Sequence, residues 1–104
     1  MELLFVYGSL KRGELGHAIL LKAKAKFIGE AETTDKFIVR ELNGYPIAIP
    51  SSEGDKVKGE LYEVEDLALI DDYEDAPYLY ERVKVEVVCE GKRYKAWMYM
   101  AKRA

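Results

Sequence analysis

The hydrophobic pattern of the N-terminal quarter changes from a continuous run to a helical one. Met1–Tyr7 is a nearly unbroken apolar segment that Gly8 ends, a pattern typical of a β-strand covered on both faces. The glycines between positions 8 and 16 predict a loop, and the Ala, Ile, Leu and Lys residues of His17–Ala23 predict a short helix. The chain therefore begins as strand, glycine-containing loop and helix.

Short, partly alternating apolar segments predict antiparallel strands in the middle of the chain. The segments are Phe27–Glu32, Phe37–Leu42, Pro46–Ile49 and Val57–Val64. Thr34-Asp35 and Asn43-Gly44 are turn signals between the first three, and Ser51–Asp55 is a polar turn before the fourth. Gly59, inside the fourth strand, predicts a bulge or a close backbone approach.

The C-terminal quarter predicts two more strands around a turn at Cys89–Lys92. From Arg82 onward, valines alternate with charged residues, which is typical of a strand with one solvated face. Tyr94–Met100 carries apolar groups on both faces, which is typical of a central strand or of a strand inside a barrel.

The number of short strands decides the predicted fold class. About seven strands and two short helices on so short a chain favour a strongly curved or closed sheet over an open one. We expect an α+β fold: a small closed or strongly curved, mostly antiparallel β-barrel flanked by two short helices. The length of 104 residues suits a single domain, residues 1–104.

Charge and apolar run length exclude several classes of protein. The chain has 16 Lys and Arg against 19 Asp and Glu, a formal net charge of −3 with the charges interspersed, so nucleic acid is not an expected partner. The apolar runs are far shorter than the roughly 20 residues that span a bilayer, and no signal-peptide pattern is present. We therefore expect a cytoplasmic protein that does not enter a membrane.

Cysteine and histidine usage limits the chemistry. Cys89 and His17 are each the one residue of their type, so we expect no intramolecular disulfide and no metal site. We expect no cofactor either. His17 is interpreted as a capping or packing residue, and Cys89 has no basic partner that would make it reactive. The lack of Gln and a charged fraction of 34% point to a thermophilic source.

The segment Glu65–Pro77 predicts a helix whose acidic C-terminal end is not explained by stability. Glu65 and Asp66 can cap the first amides and match the positive end of the helix dipole. Four acids crowd the opposite end, namely Asp71, Asp72, Glu74 and Asp75. There the dipole disfavours each anion by roughly 0.3 to 1 kcal/mol, and like charges three residues apart add to that cost.

Of these acids, Glu74 is the one that helical spacing turns toward the core. Steps of about 100° per residue put one arc together: Leu69, Tyr73, Ile70, Glu74 and Leu67. Asp71 falls at the margin of this arc, and Asp72 points to water. A carboxylate half-desolvated among apolar and tyrosyl side chains should have a raised pKa, which a general base near neutrality needs.

A competing interpretation makes Glu74 a helix-end acid that pairs with Arg82 or a lysine. Pro77 ends the predicted helix just after Glu74, and the extended segment that follows puts Tyr78, Tyr80 and Arg82 on one face. These side chains would form a wall of hydroxyls and a cation beside Glu74, which favours a functional site over a structural ion pair.

The loop after the first strand supplies the other half of the predicted site. The amides of Tyr7-Gly8-Ser9-Leu10 can point outward as a small nest for an anion or a developing oxyanion, although a purely strand-ending role is the alternative. With one histidine and no G-x-S-x-G motif, Ser9 is not expected to be a nucleophile. Its amide and hydroxyl are expected to bind substrate.

Four segments, taken in this order, resemble the γ-glutamylcyclotransferase-like family, in its branch of γ-glutamylamine cyclotransferases and AIG2-like proteins. They are FVYGSLKRG at Phe5–Gly13, GELYEV at Gly59–Val64, DDYE at Asp71–Glu74 and YERV at Tyr80–Val83. The resemblance implies a small β-barrel whose cavity is floored by the loop after the first strand, with Glu74 as acid/base.

The resemblance also implies a reaction. In a γ-glutamyl amine or γ-glutamyl amino acid, the free α-amine attacks the γ-carbonyl of the same molecule, which gives 5-oxoproline and an amine without metal or enzyme nucleophile. The implied substrate-binding residues are Tyr7, Gly8, Ser9, Leu10 and Tyr80. We hypothesise that the loop amides hold the α-carboxylate or the oxyanion. From alternation along the strands, Tyr7 and Tyr80 would line the cavity and orient Glu74, and Arg82 would support the wall.

Three other functions stay open on the sequence alone. The chain can be a non-catalytic small-molecule-binding module with the same cavity, because a fold does not guarantee chemistry. It can be a hydrolase in which Glu74 activates water, or an oligomerising scaffold that uses Trp97, Tyr99 and the Val-rich strand after Arg82 as its interface. The expected oligomeric state is a monomer or a weak homodimer.

Overall fold

A computed structural model describes residues 1–8, 11–14, 17–42, 45–74 and 80–101. Within these ranges there are six strands and two helices. In chain order they are β1 (Glu2–Val6), α1 (His17–Lys22), β2 (Lys26–Leu42), β3 (Tyr45–Pro50), β4 (Asp55–Val64), α2 (Leu67–Glu74), β5 (Tyr80–Cys89) and β6 (Lys92–Ala101).

Five of the strands close into a barrel. The sheet order is β3-β2-β4-β1-β6-β5, and β5 pairs again with β2 through Thr33↔Val87 and Ala31↔Cys89. The pairing of β1 with β6 is parallel and the other pairings are antiparallel, while β3 extends the far half of β2 outside the closed ring. The predicted mostly antiparallel, closed β-barrel flanked by two short helices is confirmed.

The predicted break at Thr34-Asp35 is wrong, because β2 is one strand of 17 residues. Its register against β4 shifts between Glu32 and Lys36, which is a bulge. The Thr33 hydroxyl accepts the Val57 amide at 2.8 Å and donates to the Asp35 carbonyl at 2.8 Å. The Thr33 side chain therefore supplies hydrogen bonds where the ladder is interrupted, and residues typical of a turn form a bend within a strand.

Alternation along the strands divides the core between the barrel interior and the helix-covered face. Phe5 and Met98 pack inside the barrel, whereas the neighbouring Leu4 and Tyr99 pack outward with the helices. This explains why β1 and β6 carry apolar residues on both faces, as the sequence predicted. The Asn43-Gly44 turn lies outside the described residues.

The close backbone approach predicted at Gly59 is confirmed. A Cβ atom there would collide with the Val6 carbonyl oxygen and lie 2.8 Å from Cζ of Phe5. Glycine therefore lets β4 press against the end of β1, where Val6 pairs with Glu60. This contact fixes the point from which the loop after β1 leaves the barrel.

Helix α2 begins at Leu67 and buries a narrower face than predicted. Asp66 accepts the Ala68 amide at 3.0 Å, so the predicted cap is confirmed for this residue. Leu67 and Ile70 are buried as expected. Leu69, at 36% exposure, and Tyr73, at 43%, are not, which makes the predicted apolar arc too wide. No helix within the described ranges is long and apolar enough to cross a membrane.

Candidate active site

Glu74 is the last residue of α2, and its side chain is partly buried. Ile70, one turn earlier on the same side of the helix, is completely buried and draws this face toward the barrel. Burial raises the pKa of Glu74 to about 7. Among the described residues, no basic side chain lowers the pKa of this carboxylate. The predicted half-desolvated acid is therefore present.

Arg82 pairs with Asp71 rather than with Glu74. Its Nε lies 2.8 Å from Asp71 Oδ1, and the hydroxyl of Tyr99 donates to the same oxygen at 2.6 Å. The guanidinium also lies 4.8 Å from the ring centroid of Trp97. The competing interpretation, in which Arg82 neutralises Glu74, is wrong for this arginine.

Asp71 thereby clamps the end of α2 to the barrel. It precedes Glu74 by three residues, so both carboxylates leave the helix on neighbouring faces. Arg82 belongs to β5 and Tyr99 to β6, so two adjacent strands hold the turn that carries Glu74. Asp72, the acid between them, is exposed, as the sequence predicted.

The charge of Glu74 affects the pKa of two tyrosines, Tyr7 and Tyr99. Burial raises the pKa of Tyr7, and the charges of Tyr80 and Glu74 add to that rise. Burial likewise raises the pKa of Tyr99, with Asp71 as the next cause and Glu74 as a further one. The charge of Glu74 therefore acts on hydroxyls from β6 and from the residue that follows β1, and Tyr80, at the start of β5, acts on the second of these.

The Tyr7 hydroxyl has a different partner from the one predicted. It donates to the Tyr99 carbonyl oxygen at 2.8 Å and accepts the Ala48 amide at 3.0 Å. Its one proton is thus committed to the backbone, and it does not orient Glu74 by donating to it. Tyr7 instead ties the end of β1 to β6 and β3 beside the site.

Sequence reasoning missed Tyr99 as part of this site and proposed it for an interface. Tyr99 is only 4% exposed, so it lies within the chain's own core. Its carbonyl oxygen accepts from Tyr7 and its hydroxyl holds Asp71, so a single residue joins both sides of the site. Alternation put Tyr99 on the same strand face as Lys95 and Trp97 but gave no sign of which groups it would meet.

The loop after β1 is described at Gly8 and from Lys11 to Glu14. The Gly8 carbonyl accepts the Lys11 amide at 3.1 Å, which is a tight turn, and a Cβ at Gly8 would lie 2.9 Å from Cγ of Pro46. A side chain at position 8 would therefore press on the Pro46 ring. The predicted substrate-binding residues Ser9 and Leu10, and the predicted wall residue Tyr78, lie outside the described residues.

A second buried acid, Glu60 on β4, was not singled out from the sequence. Its carboxylate accepts the Arg12 amide at 2.9 Å, the Arg12 Nε at 3.1 Å and the Tyr62 hydroxyl at 2.9 Å. Burial acts to raise the pKa of Glu60, but these hydrogen bonds and the charge of Arg12 together outweigh it and lower the pKa. The available signal was an acid beside Gly59 in an otherwise buried strand.

Among the described residues, no group of three or more His, Cys, Asp or Glu side chains is arranged to hold a metal ion. The side chains around Glu74 carry other groups instead. They are the hydroxyls of Tyr7 and Tyr99, the carboxylate of Asp71 and the guanidinium of Arg82. This set suits proton transfer and the binding of polar groups.

The family model described as gamma-glutamyl cyclotransferase, AIG2-like, matches residues 4–104. The chain belongs to this family. The sequence resemblance is thereby confirmed, and the names of the relatives group the chain with cyclotransferase enzymes.

Relatives from distant organisms support the assignment. A protein of Methanocaldococcus jannaschii, named provisionally as a γ-glutamylcyclotransferase, is 38% identical over 95% of this chain and 83% of its own length. The γ-glutamylaminecyclotransferase of Bos taurus is 36% identical over 86% of this chain and 58% of its own length. The crystal structure of an AIG2-like protein from Mus musculus has a TM-score of 0.88 at 32% identity, covering 97% of this chain and 77% of that one.

Proposed function

We propose that this protein closes a γ-glutamyl amine or γ-glutamyl amino acid into 5-oxoproline and releases the amine, with Glu74 as general acid and base. The observation that carries the proposal is the partly buried Glu74 carboxylate with a pKa raised to about 7. A group that titrates near neutrality can both accept and return a proton at cellular pH.

The first proton moves from substrate to enzyme. The α-amine of a γ-glutamyl compound is an ammonium ion at neutral pH and cannot attack a carbonyl until it loses a proton. The Glu74 carboxylate takes that proton, and the freed nitrogen attacks the γ-carbonyl carbon of the same molecule. Holding both groups in one folded substrate replaces a second reactant, which is a large entropic advantage.

Collapse of the tetrahedral intermediate completes the cycle. The γ-carbon to nitrogen bond of the original amide breaks, and Glu74 returns its proton to the departing nitrogen. The ring nitrogen gives up a second proton along the same route, so the lactam leaves neutral and the amine leaves as an ammonium ion. No water is consumed, and Glu74 ends in its starting state.

The remaining predicted roles are part of the same proposal. The amides of Gly8, Ser9 and Leu10 stabilise the developing oxyanion or the α-carboxylate, because preorganised donors match the negative charge. Tyr80 lines the substrate pocket, and Tyr7 lines it with its ring while its hydroxyl fixes the backbone. Arg82 supports the wall through Asp71.

The test is incubation with a panel of γ-glutamyl amines and γ-glutamyl amino acids, including ε-(γ-glutamyl)-lysine, followed by mass spectrometry for 5-oxoproline. Glu74→Gln removes the proton-accepting group, and Asp72→Asn is the matched control because Asp72 is an exposed acid of the same helix. We expect product from the wild type and from Asp72→Asn, and a loss of about 100- to 10,000-fold in Glu74→Gln.

Other outcomes identify the alternatives. Glutamate in place of 5-oxoproline would indicate a hydrolase. A ligand-dependent thermal shift without any product would indicate a binding module. Equal turnover by Glu74→Gln and the wild type would remove Glu74 from the mechanism. The expectation of a single domain, of a monomer or weak homodimer, and of a cytoplasmic location stays a prediction.

A further inference from the structure

The most completely bonded acid of the described chain lies outside the proposed proton-transfer step. Glu60 is 8% exposed, and both of its carboxylate oxygens accept hydrogen bonds. Oε1 receives the Arg12 main-chain amide and the Tyr62 hydroxyl, and Oε2 receives the Arg12 Nε. One carboxylate thus binds the backbone and the side chain of the same loop residue.

Arg12 is held from a second direction as well. Its guanidinium lies 4.0 Å from the ring centroid of Phe27, and that ring meets Tyr62 edge-on at 5.5 Å. The Arg12 side chain is nevertheless 53% exposed, so it is not a core residue. Charge, stacking and a main-chain hydrogen bond converge on a residue that packing alone would leave mobile.

The position of Glu60 in the barrel explains what this contact fixes. Glu60 pairs with Val6 at the end of β1, and Gly59 presses β4 against the same point. The loop leaves the barrel there, turns through the Gly8 carbonyl and Lys11 amide bond, and returns to Glu60 at Arg12. Both the start of the loop and Arg12 are therefore held by the same part of β4, at Glu60.

We propose that Glu60 is a positioning residue that fixes the loop after β1 at Arg12, so that the amides of the described part of this loop, including that of Gly8, are preorganised for substrate. This inference rests on the proposed function, in which those amides bind the substrate. A main-chain hydrogen bond sets the direction of a peptide plane, and oxyanion or carboxylate binding depends on that direction.

Stability is a weaker explanation for an acid at this position. A buried ion pair often contributes no more to stability than well-packed apolar residues of similar volume, because both charges lose their hydration. An apolar residue at position 60 would fill the space but would offer no acceptor to the Arg12 amide. The carboxylate adds direction, which apolar packing cannot supply.

The experiment compares Glu60→Gln, Arg12→Ala and Arg12→Lys with a matched control, Glu86→Gln. Glu86 also pairs with an arginine, Arg93 at 3.3 Å, but on the exposed β5–β6 hairpin. For each variant, kcat and KM for the γ-glutamyl substrate are measured across pH, well below the melting temperature. Hydrogen exchange of the Lys11 and Arg12 amides is measured on the same samples.

We expect kcat/KM to fall on the order of 10- to 100-fold in Glu60→Gln, with the midpoint near pH 7 unchanged because Glu74 is untouched. Arg12→Ala should lose less, because its main-chain amide is retained, and Arg12→Lys should recover part of that loss. Exchange at Lys11 and Arg12 should accelerate about tenfold or more in Glu60→Gln. Glu86→Gln should match the wild type in every measurement.

Several results would overturn the inference. They are wild-type kcat/KM in Glu60→Gln, a loss explained fully by the unfolded fraction, or unchanged exchange at the loop amides. If the wild type forms no 5-oxoproline, the proposed function fails, but the exchange measurement still decides whether Glu60 fixes the loop. If Glu60→Gln does not fold, Arg12→Ala decides in its place, and wild-type kinetics with wild-type exchange would refute the role.

Discussion

Two glutamates of this protein lie largely out of water, and their surroundings act on them in opposite directions. Glu60 is the less exposed to solvent of the two, yet its pKa is lowered, because Arg12 and Tyr62 donate three hydrogen bonds to it. Glu74 is partly exposed, yet burial raises its pKa to about 7. Solvent exposure alone therefore does not decide which protonation state the fold favours, because the hydrogen-bond donors around a carboxylate also act on its pKa.

The arginines near the two glutamates also have different partners. Arg12 reaches Glu60 directly, whereas Arg82, the arginine nearest to the end of α2 in sequence and structure, is bound to Asp71. Asp71 therefore keeps a cation close to the site, while no ion pair to Glu74 is formed among the described residues. A carboxylate that must exchange protons needs this arrangement, and a carboxylate that must hold a loop needs the opposite one.

Substitution of Glu74 should give the largest effect on the difference between the two glutamates. Replacing Glu74 with Gln should reduce turnover by about 100- to 10,000-fold and at the same time raise the free energy of unfolding at pH 8 by about 1 to 3 kcal/mol. The pKa of Glu74 in the folded protein lies above its ordinary value of 4.5. Its contribution to the stability of the fold is therefore fully present below pH 4.5 and is lost as the pH rises through about 7. Urea unfolding at pH 8 and pH 4 measures this, and an equal effect at both pH values would contradict it.

At Glu60 the same substitution should have the opposite effect on stability. Glu60→Gln should lower the free energy of unfolding by about 1 to 3 kcal/mol at pH 7. The reason is that one of the two buried oxygens that accept hydrogen bonds from Arg12 becomes an NH2 group, which can only donate. The pKa is lowered in the folded state, so this contribution is present above the ordinary pKa and is lost as pH falls through the folded value. Urea unfolding as a function of pH tests it, with Glu86→Gln as control; a stabilised Glu60→Gln would contradict the sign.

Asp71→Asn should make Glu74 behave more like Glu60. The substitution removes the anion that binds Arg82, and the released guanidinium can approach Glu74. The pH midpoint of kcat/KM should then fall by about one unit. An unchanged midpoint with lowered stability would mean that Asp71 only clamps the helix. Asp72→Asn, on the exposed face, should leave the midpoint at its wild-type value.

The smallest expected change is at Tyr99. Tyr99→Phe removes the hydrogen bond to Asp71 but keeps the carbonyl that accepts from Tyr7, so the loss should be about 1 kcal/mol in the free energy of unfolding. Thermal or urea unfolding measures it, with Tyr94→Phe as a control whose ring packs on the barrel interior away from α2. A loss of activity far beyond the loss of stability would show that the hydroxyl acts on Glu74 itself.

Local pattern was informative for the elements and for one half of the site. The covered strand β1 and the inward turn of Glu74 follow from spacing along one strand or helix. The barrel class follows from the number of short strands, and the approach at Gly59 from a glycine within a strand. The break predicted in β2 failed, because Thr33 bonds to β4 across the sheet, and such a partner is not visible in local sequence.

The sequence by itself determined the family, the order and faces of the elements, and the position of an acid at a helix end. Only the tertiary structure decided the partners: Arg82 with Asp71, Tyr99 with both sides of the site, and Glu60 with Arg12. Periodicity fixes the direction of a side chain relative to its own element, because backbone geometry is local. The partner that meets it comes from a distant part of the chain, and that partner sets the charge state of the acid.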